Sequence, residues 1–536
     1  MKYLYLLIAI LLVSSTNAQQ NVSVSLDTTF NHTGIVTLGT DTTIDYGALI
    51  ESQSDGKVVL GGAVSNLNGV SNAVLIRYNM NGQPDNTFGI NGKVTFPSTN
   101  NYRVNYSTFK ITPNDRILFA GNVQQNLTNN PSLFKLKPNG SADSTFGVNG
   151  VYKLNILNVL PNTSGGYFAN IIIQDDGKIV LGGNVITMVN QVYTAHILLV
   201  RLNENGTPDN TFGNNGIVAI NNATYDKTSA IAIQGDKIVI GASTSTYYNS
   251  FDSKFLVVRL NSNGTLDNTF GNGGSITHSF MVNDICWALA VHKTNGRIYL
   301  SGQTPISINS PNCFYGIVIC LNGIGSLDNT FSDDGVIIRT DSTSLINSMV
   351  IQNDDKILLG SNLNSTVYRL NSNGVPDTTF GTDGDITTPL NQLYSSSRSM
   401  VMQPDGKIVT GGSYWSYLAE PQGQGNWDFV MVKYNCTDCI NIPNTIENKP
   451  QTEPGLSIYP NPSNSNFTLS INSDKQSTGK IELINPMGQL AYEQTLNLSM
   501  GENKIPMQAS LPGGVYFVRI STHGGIYSTK LSVVRQ

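Results

Sequence analysis

Two kinds of residue in this sequence recur at spacings that could do chemistry, and the first is an acidic box. Asp27, Asp85, Asp143, Asp209, Asp267, Asp328 and Asp377 each open an Asp-x-Thr-Phe phrase that ends at Phe30, Phe88, Phe146, Phe212, Phe270, Phe331 and Phe380. Eight residues before five of these aspartates stands a base: Arg77, Lys135, Arg201, Arg259 or Arg369. Cys320 takes that position before Asp328, and Lys433 would face Asp27 only if the chain closed on itself. Carboxylate and cation at fixed spacing could form a ring of ion-binding sites. They could equally be scaffold, with Asp capping the turn backbone and pairing with the base while Phe packs between sheets. A motif present in every copy favours scaffold, because catalysis needs one asymmetric cluster. No ligand series of the EF-hand kind is present, and no metal or cofactor is assigned.

The second kind is aromatic and lies where the copies differ. The segment from Lys407 to Lys433 is the longest of its kind, and it carries Tyr414, Trp415, Tyr417 and Trp427. Aromatic faces beside Asn, Gln and Asp can stack on a sugar or anchor a protein contact. The same tryptophans could instead pack as core. Tyr394 and Tyr247-Tyr248 are expected on the same rim. Cys436 and Cys439 form a lone CxxC with no second pair or histidines nearby for zinc, so a local disulfide is expected. His32, His196, His278, His292 and His523 are scattered. Gly-x-Ser-x-Gly, His-Glu-x-x-His and phosphate-loop patterns are missing.

The elements that must position these residues follow from the repeat. The box phenylalanines are separated by 58, 58, 66, 58, 61 and 49 residues, which signals a repeat architecture. Each repeat has an alternating apolar stretch (a), a turn such as Ser54-Asp55-Gly56-Lys57, and a short strand (b) such as Ile179–Gly183. A variable loop, a strand (c) such as Phe255–Leu260, the box and a last strand (d) follow. The Asp-Gly turns are expected to be type I′. Four strands in up-and-down order, repeated, describe the blade of a β-propeller. The first box has no a, b or c strand before it, and the last repeat has no d strand after Tyr434. The expected architecture is therefore all-β: a seven-bladed propeller over residues 19–435, with residues 26–38 supplying the missing strand and removing an open edge. A polar linker, 436–455, leads to a small β-sandwich over 456–536. Only 12% of residues are charged and 51 are glycine, which suits short strands and tight turns. Helix content should be small.

Targeting signals frame the chain. Lys2, the apolar run Leu4–Val13 and the small residues Thr16 and Ala18 read as a signal peptide over residues 1–18, cleaved before Gln19. No later run reaches the roughly 20 apolar residues of a spanning helix, so no transmembrane segment is expected in the mature chain. The net charge of −5, without a basic stripe, argues against nucleic acid.

The box phrase and its period resemble the delta-60 repeats of bacterial β-propeller-like proteins, from which Asn31 and Ser332 depart where that family has Gly. The tail resembles the type A sorting domain of the Bacteroidetes type IX secretion system. It does so through Leu456-Ser-Ile-Tyr-Pro-Asn-Pro462, Phe467-Thr-Leu469, Asn485-Pro-Met-Gly488, Gly501, Leu511-Pro-Gly-Gly-Val-Tyr-Phe517 and Lys530-Leu531. That resemblance implies the secretion machinery as a partner, delivery to the outer surface or beyond, and in many members removal of the tail. The combined reading is an exported, non-enzymatic binding or interaction module for an extracellular glycan or protein. The alternative is a secreted glycan-active hydrolase or lyase with its site on the loop-rich face.

Overall fold

A computed structural model of the chain describes residues 23–439 and 457–533, apart from short stretches inside those ranges, 97–101, 221–224, 418–424 and 486–489 among them. The expected signal segment, Tyr394, most of the linker and the Pro460-Asn461-Pro462 motif lie outside the described residues. By contacts the chain divides into two compact units, Met1–Pro443 and Asn444–Gln536.

The first unit is built from antiparallel sheets taken in chain order. Sheet one is Thr43–Ser52, Val58–Asn66, Ser71–Tyr78 and Lys93–Phe96; sheet two is Tyr102–Ile111, Ile117–Gln125, Thr128–Leu136 and Val151–Lys153. Sheet three is Thr163–Ile173, Ile179–Val189, Val192–Leu202 and Ile217–Ile220. It touches sheet four (Tyr225–Gln234, Lys237–Ser245, Lys254–Leu260, Ser275–His278) through one parallel bridge, Ala195 to Tyr225. Sheet five is Ile285–Val291, Ile298–Ser307, Ser310–Leu321 and Val336–Arg339; sheet six is Ile346–Ile351, Ile357–Ser361, Thr366–Leu370 and Asp385–Thr387. Sheet seven holds Ser395–Met402, Ile408–Tyr417 and Gly425–Cys436. Two amino-terminal strands pair with the last of these: Ile35–Leu38 against Val432 to Phe429, and Val24–Leu26 against Cys436 to Tyr434.

Strands b and c are apolar on both faces because each sheet is covered on both sides; in Lys254–Leu260 all six residues after Lys254 are buried. Each face packs on the next sheet. Val59 and Leu75 of sheet one meet Phe109 and Phe119 of sheet two, and Leu118 meets Phe168 and Leu181 of sheet three. The series continues through Val180 with Ile240, Val239 with Leu300, Tyr299 with Leu359, and Leu358 with Ile408. A further core joins Val409, Phe429 and Met431 of sheet seven to Ile50, Leu60 and Val74 of sheet one, with Phe30 and Val36 inside it. Strand a of every sheet carries a register shift, as at Cys286/Ala288, where Trp287 is the extra residue.

The a–b turns correct the sequence expectation. Type I′ needs positive φ at both central residues, yet Gly56, Gly177 and Gly406 are positive and the aspartates before them are not. Gly56 N–H bonds Gln53 O at 3.0 Å and Gln53 N–H bonds Lys57 O at 2.9 Å, so the loop is one residue longer, with the glycine alone left-handed. Asp115 and Asp355 take that left-handed place in sheets two and six.

The second unit is two sheets around one core. Ser457–Tyr459, Asn466–Ser473 and Gly501–Gln508 form one; Leu490–Leu498, Ser477–Ile484, Gly514–Thr522 and Gly525–Val533 form the other. Phe467, Leu469 and Ile471 face Ile481, Leu483, Val518 and Ile520 in the core. No helix among the described residues is long and apolar enough to cross a membrane.

Candidate functional site

The box aspartate uses its two oxygens for two purposes. Oδ1 accepts the N–H of the Thr two residues on at 3.0–3.4 Å and its hydroxyl at 2.6–2.7 Å, in all seven copies. This is a turn cap. Oδ2 takes the cation: Arg77 Nε at 2.9 Å from Asp85, Arg201 at 2.8 Å from Asp209, Arg259 at 2.7 Å from Asp267 and Arg369 at 2.8 Å from Asp377. The a–b turn lysine joins in three of the seven boxes, with Lys57, Lys237 and Lys356 at 3.2, 3.0 and 3.0 Å from Asp85, Asp267 and Asp377. Burial alone would raise Asp85 and Asp377. The Thr hydrogen bonds and the cations more than offset it, holding both carboxyls at about 2.

The strand-c base also reaches the next sheet, which the sequence reading missed. Arg77 Nη1 donates to Pro138 O at 2.5 Å, Arg201 Nη1 to Ser262 O at 2.5 Å, and Arg259 Nη1 to Gly323 O. The guanidinium does both jobs because its fork has separate N–H groups. A lysine has one ammonium and must choose. Lys135 bonds Glu204 O at 3.0 Å and Lys433 bonds Met80 O at 3.5 Å, each in the following sheet. Their boxes turn to the a–b turn base instead: Arg116 lies 3.0 Å from Asp143 and Lys407 lies 2.8 Å from Asp27. The expected pairs Lys135–Asp143 and Lys433–Asp27 are therefore replaced. In sheet five uncharged Cys320 hands both tasks to Arg297, 2.7 Å from Asp328 and 3.3 Å from Ser372 O.

All seven box phenylalanines are buried, six of them under the strand-c base, as with Arg201 at 4.5 Å from the Phe212 ring and Lys433 at 5.3 Å from Phe30; Phe331, whose strand-c residue is Cys320, meets Tyr299 instead. Against the box phenylalanine lies the turn glycine of the following sheet. A Cβ on Gly140, Gly206, Gly264, Gly325 or Gly374 would come within 3.1 Å of Phe88, Phe146, Phe212, Phe270 or Phe331, and one on Gly82 within 3.1 Å of Phe30. An Asn-Gly lead-in before five of the boxes (Gly82, Gly140, Gly206, Gly264 and Gly374) was the signal for this contact; before Asp328 the glycine is Gly325, after Ile324. After Phe, Gly has φ near 55° and its Cβ would strike a carbonyl, at 2.3 Å for Gly89. Asn31 and Ser332 fit there because those two turns place the next residue, His32 or Asp333, left-handed as well.

The junction of sheets six and seven is built differently. Cys436 and Cys439 are joined in a disulfide whose loop stands where the other sheets have their Asn-Gly turn. Arg369, wholly buried, donates Nη1 to Asp438 Oδ1 at 2.8 Å, and Nη2 to Asp438 Oδ2 at 2.6 Å and to Ser23 Oγ at 3.1 Å. Ser23 N–H in turn bonds Thr379 O at 3.1 Å, and Thr437 N–H bonds Ser23 O at 2.8 Å. Cys436, Asp438 and Cys439 are close enough to chelate. The two sulfurs are bonded to each other and the carboxylate is paired with Arg369, so those atoms are already engaged.

Of the aromatic candidates, Trp415 and Trp427 are opposite residues in register, and their rings meet edge to face at 5.3 Å. Both are partly exposed. Tyr414 faces buried Asp428; burial first, and then that carboxylate, pushes its phenol upward, while a bond with Thr37 works against the rise. A Cβ on Gly39 would overlap Asp428, so this corner also holds the amino-terminal strand. The Tyr417 side chain lies outside the described residues. Other acids of this end are engaged: Thr244 Oγ1 donates to Asp226 at 2.7 Å, and Asp284 accepts Phe280 N–H at 2.7 Å. A cavity of about 630 Å³ opens at the other end, lined by Ser52, Ile111, Ile172, Ile231, Val291 and Met402 of six different sheets.

The chain's similarities agree with this architecture. Residues 53–88, 112–146, 174–212, 234–270, 352–380 and 403–435 match the domain of unknown function (DUF5122) beta-propeller. Residues 457–534 match the secretion system C-terminal sorting domain. The chain thus carries β-propeller repeats of that family ahead of a type IX sorting tail, and the tail implies export. No curated protein matches the sequence. Among solved structures, a protein of unknown function from Dyadobacter fermentans DSM 18053 is 10% identical, covering 77% of this chain and 99% of its own, with a TM-score of 0.39. A PL25 ulvan lyase bound to -[GlcA(1-4)Rha3S]- is 11% identical, covering 70% and 93%, with a TM-score of 0.38. Likeness at that level carries no functional argument.

Proposed function

We propose that the first unit is a seven-bladed propeller closed by its amino-terminal strand, exported as a non-enzymatic binding or interaction module for an extracellular glycan or protein. Closure is supported by the core shared between sheets seven and one, by Phe30 under Gly82, and by a cavity to which six sheets contribute. Residues 1–18 would direct passage of the inner membrane and the tail passage of the outer one; of the expected linker 436–455, residues 436–439 belong to the first unit through the disulfide loop, so 440–455 would link the two folded parts.

The observation that carries the binding reading is that the repeated carboxylates are consumed as caps and ion pairs, so variation is left to the loops. Tyr414, Trp415, Tyr417 and Trp427 are the proposed contact residues on sheet seven. A glycan and surface-protein array, run with a turnover assay on the same ligands, tests this reading. Binding without turnover, reduced by Trp415→Ala at unchanged melting temperature, is expected. Product formation lost on mutating acids of that face would replace it with a hydrolase or lyase. Asp284, raised by burial and partly held down by Thr304, Phe280 and Met281, is the acid to mutate first.

A further inference from the structure

We propose that sheets four and five carry a separate site for an acidic saccharide, where Tyr225, Tyr248, Lys227 and Trp287 follow one another beside a loop that exposes Tyr247 and Phe251. The b–c loop of sheet four is braced by its own polar groups. Its polar groups bond one another: Asp252 accepts the N–H of Thr246 at 3.2 and 3.3 Å and the hydroxyls of Thr246 and Ser250. Ser250 N–H closes the turn on Tyr247 O at 3.1 Å, with Asn249 left-handed. The aromatic residues turn outward, Tyr247, Tyr248 and Phe251 being 57%, 55% and 60% exposed. Single exposed aromatics need no explanation, but a braced loop that presents three of them does. Bracing also means that little ordering remains to be done on binding.

The loop continues into strand a. Tyr248 meets Tyr225 with ring centroids 5.3 Å apart. Two residues along the same strand, Lys227 holds its ammonium 5.4 Å from the ring of Trp287 on sheet five. Trp287 occupies the extra position of the strand-a bulge, which aims its side chain out of the regular pleat. Its Nε1–H is fixed by Gln303 Oε1 at 3.1 Å, and Gln303 is itself buried. The bulge positions of sheets two, three, four and six hold Ser107, Ala169, Ser229 and Asn347, and that of sheet seven holds Arg398. The residues at this position in the two flanking sheets, Ser229 and Asn347, are smaller than the indole.

Rings with negative faces attract the polarised C–H groups of a sugar, and Tyr hydroxyls bond its oxygens. One ammonium among them, on a chain of net charge −5, selects a carboxylate- or sulfate-bearing unit over a neutral one. A protein partner is disfavoured because the row offers rings and a cation but few aliphatic side chains to fill a pocket.

This inference rests on the binding reading and is tested apart from it. Calorimetric titration of the full chain would use a 1,4-linked tetrauronate, cellotetraose and a sulfated tetrasaccharide. The tetrauronate or the sulfated oligomer should bind about tenfold more tightly than cellotetraose. Trp287→Ala and Tyr248→Ala should weaken every saccharide about tenfold, and Lys227→Gln should bring the anionic one to the neutral level. Melting temperature should hold in all three. Binding that survives these changes but is lost in Trp415→Ala overturns this site and leaves the binding reading intact. Turnover of the tetrauronate with the three effects as stated overturns the non-enzymatic reading and leaves the site. No saturable binding of any saccharide overturns the site.

Discussion

Replacing Arg369 with methionine should be the most damaging single change at a strand-c base. The side chain is fully buried, 2.8 Å from Asp377, bonded twice to Asp438, bonded to Ser23 and 4.6 Å above Phe380. Methionine keeps the stem and its contact with the ring but leaves two carboxylates facing each other, with Lys356 3.0 Å from one and 3.8 Å from the other. Breaking a buried pair costs about 3–5 kcal/mol, so about 4 kcal/mol is expected. Arg77→Met is the control: it strips one carboxylate, Asp85, which keeps Lys57 at 3.2 Å, and should cost about half as much. Over roughly 420 residues at about 2.1 cal/mol/K each, those losses correspond to falls in melting temperature of about 4–5 °C and about 2 °C. Calorimetry of both variants reads the difference. The double variant with Asp438→Asn should show a coupling of about 1 kcal/mol or more. Equal losses for the two arginines, or strict additivity with Asp438, would refute a special role for the disulfide loop in joining the first and last strands.

Two further outcomes follow from the same geometry. The folded chain holds Asp85 and Asp377 at about 2 against an ordinary 3.8, so the unfolded chain takes up those protons first as pH falls. Their contribution, about 2 kcal/mol each, is present above pH of about 4 and is lost as pH falls through about 2. Denaturant midpoints at pH 5 and pH 2.5 should record that loss and show less of it in Asp85→Asn; an unchanged slope in that variant would contradict the assignment. For export, deletion of residues 456–536 should strand the protein in the periplasm, read by fractionation, and normal delivery to the surface would contradict the role of the tail.

The repeat and its four strands were legible because each rests on local pattern. Apolar alternation, turn residues and a fixed Asp-to-base spacing all lie within one copy. What lay beyond reach is what happens between copies. Nothing local says that Arg77 donates to Pro138 O, or that Gly82 lies on Phe30. The lysines misled for a chemical reason: spacing places Lys135 near Asp143, but one ammonium cannot serve both the box and the neighbouring sheet. The a–b turns misled because Asp-Gly suits two hairpin geometries that differ by one loop residue. On sheet seven the sequence brought Trp415 and Trp427 to notice by loop length. Trp287 escaped, since nothing in the sequence marks a bulge position.

Closure of the propeller rests on the amino-terminal strand, which pairs with sheet seven although nearly the whole first unit separates them in sequence. Hydrogen exchange of the intact protein tests it most directly. Val36 and Leu38 lie opposite Met431 and Phe429, inside a core that also holds Ile50 of sheet one. Amides of Ile35–Leu38 should open with the same free energy as those of Phe429–Val432, because the two segments come apart only when the unit unfolds. Rapid exchange of Ile35–Leu38 while Phe429–Val432 stays protected would contradict closure by this strand.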